Sequence, residues 1–204
     1  MTRHIAFLRA INVGGHTVKM ESLRQLFESF GFYKVETFIA SGTVIFNTTA
    51  QDPAELESKI SAGLRTALGY EVAAFIRGTG ELARIAAYQP FPPSVLETAA
   101  TNNIIFLPGP LDVSAQQKLM ALRSEIDSFA THAREVYWSC RRIQSQSTFS
   151  NAVLEKTLGV KSTIRGVNTI RKLVARLASS NPESPPNGDP DGLGGEDAAV
   201  SGEK

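Results

Sequence analysis

The chain has 204 residues, of which 42% are hydrophobic, 20% are charged and one is cysteine, and its formal net charge is +1. This is the composition of an ordinary folded protein with room for one large domain or two small ones. It excludes a fibrous chain, an intrachain disulfide and a thiolate zinc cluster. Residues 1–7 lack the apolar core and cleavage site of a secretory signal, and no run approaches the roughly 18 apolar residues of a membrane span. A cytoplasmic protein is expected.

The run "HIAFLRA" has the β-branched and aromatic content of a strand. Next, "MESLRQLFESFG" places Met20, Leu23, Leu26, Phe27 and Phe30 on one helical face and stops at Gly31. "YKVETFIA" and "TVIFNT", separated by Ser41-Gly42, read as a hairpin. Asp52, Pro53 and Glu55 mark a helix start with a capping box, Leu56, Ile60, Leu64 and Ala67 supply its stripe, and Gly69 ends it. "EVAAFIR" is a fourth strand. The order β-α-β-β-α-β is the ferredoxin-like arrangement, two helices over one face of a four-stranded antiparallel sheet.

"ELARIAAY" reads as helical and "QPFPPS" as a stiff break, so residues 80–101 form a bridge between a first domain, 1–79, and a second, 102–180. The second domain repeats the pattern. "NNIIFL" is a strand, and Asp112–Phe129 a helix with Leu119, Leu122, Ile126 and Phe129 as its stripe. "THAREVYWSC" supplies two strands, "STFSNAVLEKTLG" a helix ending at Gly159, "KSTIRG" a strand and Asn168–Leu177 a closing helix. The fold class is therefore α+β: tandem ferredoxin-like (βαββαβ) domains with two antiparallel sheets and covering helices. Residues 181–204 carry six acidic residues and one lysine among prolines and glycines. Such a segment buries too little to offset its ordering entropy, so a disordered acidic tail is expected.

Without the tail, the body holds 20 basic and 14 acidic residues, and residues 131–178 alone hold nine basic and two acidic ones. That balance favours an anionic partner. "LRAINV" near the start is echoed by "IRGVNT" near residue 165, so Arg9/Asn12 and Arg165/Asn168 share a spacing. Arg offers a planar fork of donors and Asn a donor and an acceptor, a set suited to a carboxylate, phosphate or nucleobase edge. The same residues also serve to cap helices and tie down turns. Lys156 could extend a basic site beside Arg165. Gly14 and Gly15 could present N–H groups to an anion or form a plain turn, and Gly15–Lys19 could form a small ribbon; the glycines match neither a dinucleotide fingerprint nor a Walker loop.

No cofactor or metal is implied, because His4, His16 and His132 are scattered and lack carboxylates at ligand spacing. Cys140, next to Arg141-Arg142, is a reactive thiol if exposed and a structural one if buried. Glu155-Lys156 reads as surface charge on a helix.

"LRAINVGGHTVKMESLRQLFESFGFYKVETFIASGTVIF" and "VYWSC…FSNAVLEKTLGVKSTIRGVNTIRKL" together resemble the opening and closing segments of the bacterial DUF1697 family. The resemblance spans residues 3–178. It implies two ferredoxin-like halves and leaves the activity open, since the family has no assigned function. The chain departs from the pattern at Ala10 (usually Gly), Thr43 (usually Asn) and Gly166-Val167 (usually Asn-Trp).

Three functional readings follow. One is a module that binds a small anionic metabolite or nucleotide in an interdomain cleft through Arg9, Asn12, Gly14, Gly15, Lys156, Arg165 and Asn168. Another is an enzyme that uses the same site electrostatically. The third is a nucleic-acid binder that uses a sheet face with Arg134, Arg141, Arg142, Arg171, Lys172 and Arg176.

Overall fold

In the computed structural model, residues 1–12, 14–39 and 42–180 are described; Ser41 and the expected acidic tail, 181–204, lie outside them. The elements in chain order are β1 Thr2–Arg9, α1 Met20–Ser29, β2 Tyr33–Phe38, β3 Thr43–Thr48, α2 Pro53–Leu68, β4 Ala73–Gly78, α3 Thr79–Ala87 and α4 Pro93–Glu97. The second half follows with β5 Thr101–Phe106, α5 Val113–Met120, β6 Asp127–His132, β7 Glu135–Cys140, α6 Asn151–Leu158, β8 Thr163–Gly166 and α7 Val167–Ser179.

Among the described residues there are two four-stranded antiparallel sheets, ordered β2-β3-β1-β4 and β6-β7-β5-β8. The two orders are the same when each half is numbered from its own first strand. This is the ferredoxin-like order, stated twice, and each copy is followed by one more helix, α3 or α7.

Local chemistry accounts for most boundaries. Asp52 accepts the Ala54 N–H at 2.8 Å and Pro53 opens α2, while Gly69 closes it in the left-handed region at φ 80°. Ser150 caps α6 through the Val153 N–H, and Gly159 closes that helix at φ 69°. Residues 16–19, expected as part of a ribbon, take no regular structure.

The expected helix over residues 112–129 is corrected. Asp112 caps a helix of eight residues that ends at Met120, and the chain turns back so that Asp127 opens β6. Asp127 is buried, and it forces this course. It accepts hydrogen bonds from Trp138 Nε1 at 2.8 Å, from Ser147 Oγ at 2.9 and 3.0 Å, and from Ser124 Oγ at 3.0 Å. Helical continuation would leave that carboxylate buried without donors, which costs more than the forgone turns. Leu122, Ile126 and Phe129 still reach the core, which is why their spacing imitates a helix. The β6–β7 hairpin turns at Ala133-Arg134, with Ala133 at φ 50°, so residues 131–140 supply only the end of β6 and all of β7.

Three apolar clusters result. One lies between the first sheet and α1/α2, and another between the second sheet and α5/α6. The third joins the halves: Ile5, Phe7, Ile45 and Phe75 of the first sheet meet Ile104, Phe106 and Tyr137 of the second, with α3 and α7 closing the same core. Phe7 and Phe106 stack with ring centroids 4.2 Å apart, so the two central strands touch directly.

His4 is 4% exposed, stacked on Phe46, and neither ring nitrogen has a hydrogen-bond partner. Burial lowers its pKa below the ordinary 6.5, with Glu81 partly opposing the shift. The folded state therefore favours neutral imidazole. Its contribution to stability is present above the unfolded value of 6.5 and is lost as pH falls through the lower folded value. Urea denaturation of His4→Phe beside the unmodified protein checks this: the variant should lose less stability between about pH 7.5 and 5.5.

Candidate functional site

Strand register identifies the structural repeat. Ile5 pairs with Arg77 and Ile104 with Arg165, so Arg165 matches Arg77 and not Arg9. The match extends to the partners. Arg77 donates to the carbonyls of Ile76 (2.8 Å) and Leu107 (3.0 Å) and lies over Phe106. Arg165 donates to those of Ile164 (2.8 Å) and Leu8 (3.0 Å) and lies over Phe7. Each arginine thus straps its own edge strand to the other half, Arg165 to β1 and Arg77 to the residue that follows β5. Burial pushes the Arg165 pKa down to about 10. The identical tripeptides Ile76-Arg77-Gly78 and Ile164-Arg165-Gly166, each at a strand end before a helix, are the signal in the sequence.

Arg77 carries an additional partner. It is fully buried and donates from Nε to Glu135 Oε1 at 2.7 Å, with Glu81 3.6 Å and Glu57 3.9 Å away. Arg134 closes the cluster on Glu81 at 3.0 Å. Burial raises the pKa of Glu57 and Glu135 despite the two arginines. Arg134 is thereby engaged in packing the halves.

Arg9 is engaged by a carboxylate of the other half. Its guanidinium holds Glu155 of α6 in a bidentate pair, with Nε 2.6 Å from Oε1. Glu155 also accepts the Ser162 N–H at 2.7 Å and Asn151 Nδ2 at 3.1 Å, so it is a junction between the halves and not a surface charge. Asn12 accepts the Val18 N–H at 2.7 Å, which ties down the loop before α1. Gly14 and Gly15 take φ 69° and 85° in that exposed loop, and residues 16–19 separate them from α1, so they serve a turn. Lys156 is exposed whereas Arg165 is 8% exposed, so the two do not form one basic surface. Cys140 is buried, and burial pushes its thiol pKa up.

The fourth echoed residue stands elsewhere. Asn168, in the first turn of α7, lines a cavity of about 480 Å³ whose lining includes none of Arg9, Asn12 or Arg165. The two Arg/Asn pairs therefore do not share this cavity. The cavity lies between the connection from α3 to β5 and the second sheet, and its lining mixes two chemistries. Tyr88, Phe91, Leu96 and Tyr137 contribute apolar surface, while Thr101, Asn102, Asn168 and Arg171 supply polar groups. Gly166 and Val167, where the chain departs from the Asn-Trp pattern, line it as well.

The electrostatics of this cavity favour an anion. No side chain caps α7 and its first turn has no acidic residue, so the leading N–H groups keep their positive field. Arg171 and Asn168 are exposed and have no side-chain hydrogen bond or ion pair among the described residues. The matching helix α3 is different: Glu81 reaches back to accept the Gly78 N–H at 3.2 Å. Sequence reading placed Asn168 and Arg171 in separate hypotheses and missed Tyr88, Phe91, Asn102 and Tyr137, which come from segments with no common spacing.

The central faces of both sheets are covered. Phe7, Phe46 and Phe106 are fully buried, and both residue parities of β1 and β7 are buried, which means that both faces of each central region are covered. Arg176 is paired with Glu36 at 2.8 Å, whereas Arg141, Arg142 and Lys172 remain exposed. Among the described residues no cluster of three His, Cys, Asp or Glu could hold a metal ion, and no helix is long and apolar enough to cross a membrane.

A family model described as "Protein of unknown function (DUF1697)" matches residues 1–137. The solved structure of the conserved bacterial protein SP0830 from Streptococcus pneumoniae is 23% identical, with a TM-score of 0.66, and the match covers 87% of this chain and 99% of that one. At that identity the likeness is one of fold. No curated protein matches this chain.

Proposed function

The chain belongs to the DUF1697 family, whose description assigns no function, and from its geometry we propose that it binds a small anionic metabolite or nucleotide in the cavity at the start of α7. The observation that carries this reading is the convergence of an uncapped helix start, a free Arg171 and Asn168 on one side of a cavity of about 480 Å³. That volume is within the ~300–1,000 Å³ range of small-ligand sites. The lining contains no carboxylate, histidine, lysine or thiol. It can therefore hold and orient an oxyanion, but it brings no general base or nucleophile of ordinary reactivity, which favours binding over turnover. A cytoplasmic setting suits a chain whose single cysteine is a buried free thiol.

Titration with inorganic phosphate, followed by amide chemical shifts, tests the reading. The expected result is that Val167, Asn168 and Thr169 respond first and that Arg171→Ala weakens binding at least tenfold, on the order of a lost charge-assisted hydrogen bond. Lys156→Ala should change nothing. Shifts centred on Arg9, Gly14 and Gly15, or an undiminished response in Arg171→Ala, would place anion binding elsewhere.

A further inference from the structure

We infer that the ligand of this cavity is a planar heteroaromatic ring joined to an oxyanion, the chemistry shared by a nucleoside monophosphate and a heteroaromatic carboxylate. This rests on the anion-binding reading above and adds the other half of the molecule. The repeat of the fold supplies an internal comparison. The position matching the α7 cavity in the first half is a smaller one of about 280 Å³, lined by Arg3, Thr79, Gly80 and Ala83, with Val174, Leu177 and Ala178 from α7. Arg3 matches Asn102, Gly80 matches Asn168 and Ala83 matches Arg171 by strand and helix register. The smaller cavity has no aromatic lining, and its arginine is neutralised by Glu36 at 2.7 Å.

In the larger cavity Tyr88, Phe91 and Tyr137 are among the lining residues. Tyr137 is fixed by a hydrogen bond to the Ile85 carbonyl at 3.2 Å, and Tyr88 stacks on His132 at 4.2 Å and is inclined at 51° to Tyr137, so these two rings are held in place. An aromatic ring held in place is what ring stacking requires. Beside it, one side chain lacks a partner. Asn102 lies on the same face of β5 as Ile104 and lines the cavity, and its Oδ1 is shielded from solvent without a hydrogen bond. A buried amide left open in this way costs stability unless something completes it, and the polar edge of a heteroaromatic ring offers a group of that kind. The arrangement thus divides the labour: the start of α7 with Arg171 for the oxyanion, the aromatic residues for the ring face, and Asn102 for its edge.

Calorimetric titration of the full chain tests this with AMP, UMP, their nucleosides, ribose 5-phosphate, inorganic phosphate, pyridine-3-carboxylate and acetate. The ring-bearing anions of at least one source should bind about tenfold or more tightly than their ringless counterparts. Tight binding by the nucleotides alone, or by the pyridine carboxylate alone, identifies the source. Phe91→Ala should weaken the ring-bearing anion about tenfold and leave phosphate within about twofold, whereas Arg171→Ala should weaken both. If Phe91→Ala fails to fold, Asn102→Leu should show the same selective loss. Equal affinity for ring-bearing and ringless anions would overturn the inference while leaving the anion site standing. Absence of binding by every anion would overturn both.

Discussion

Arg77→Met is expected to cost about 3–5 kcal/mol of folding stability, read from urea denaturation, because it strands the buried carboxylate of Glu135. Restoring balance should restore much of the loss: Arg77→Met with Glu135→Leu is expected to be far closer to the unmodified protein than either single variant. The reasoning lies in the directions of the two titrations. Burial pulls the Arg77 pKa down and pushes that of Glu135 up, so for both groups desolvation outweighs the attraction of the partner. A pair of that kind costs most when half of it remains. If the double variant were as unstable as Arg77→Met alone, the stabilisation would have to come instead from the carbonyls of Ile76 and Leu107 and from the Phe106 face.

Glu155→Leu should be the second most damaging of these changes, at about 2–3 kcal/mol, and should exceed Arg9→Leu, at about 1 kcal/mol. The two partners are not symmetrical. The Arg9 side chain is 33% exposed and regains water when released, whereas that of Glu155 is 16% exposed and satisfies the Ser162 N–H and Asn151 as well as Arg9. Removing the carboxylate leaves the Ser162 N–H without its acceptor and also breaks the contacts to Asn151 and Arg9; removing the guanidinium takes a donor from each oxygen, but Oε1 keeps the Ser162 N–H and Asn151. Thermal or urea unfolding of both variants checks the order, and a larger loss for Arg9→Leu would contradict it.

The legible part of the fold was the part governed by local rules. Asp52-Pro53 and Gly69 bound α2 as read, and "TVIFNT" is β3, because caps and alternation act within a few residues. The helix extended from residue 112 to 129 failed where a distant donor, the Trp138 indole, fixes Asp127 in a strand. The site was less legible for the same reason. Glu155 read as surface charge because its partner, Arg9, is 146 residues away. Arg165 was paired with the wrong arginine because a six-residue echo overshadowed a three-residue one that carried the strand register. The cavity left no trace as a motif, since its walls run from Tyr88 to Arg171 and meet only after both halves have formed.

The shared central core carries a consequence for folding. Neither sheet can present its inner face to water without exposing Phe7, Phe75, Ile104 or Phe106, and the crossed straps of Arg77 and Arg165 each end on the opposite half. The boundary that divides the chain by topology is therefore not expected to be a boundary of cooperativity: the two halves should unfold as a single foldon, with the cavity at their connection part of it, and hydrogen exchange that released one half before the other would contradict this.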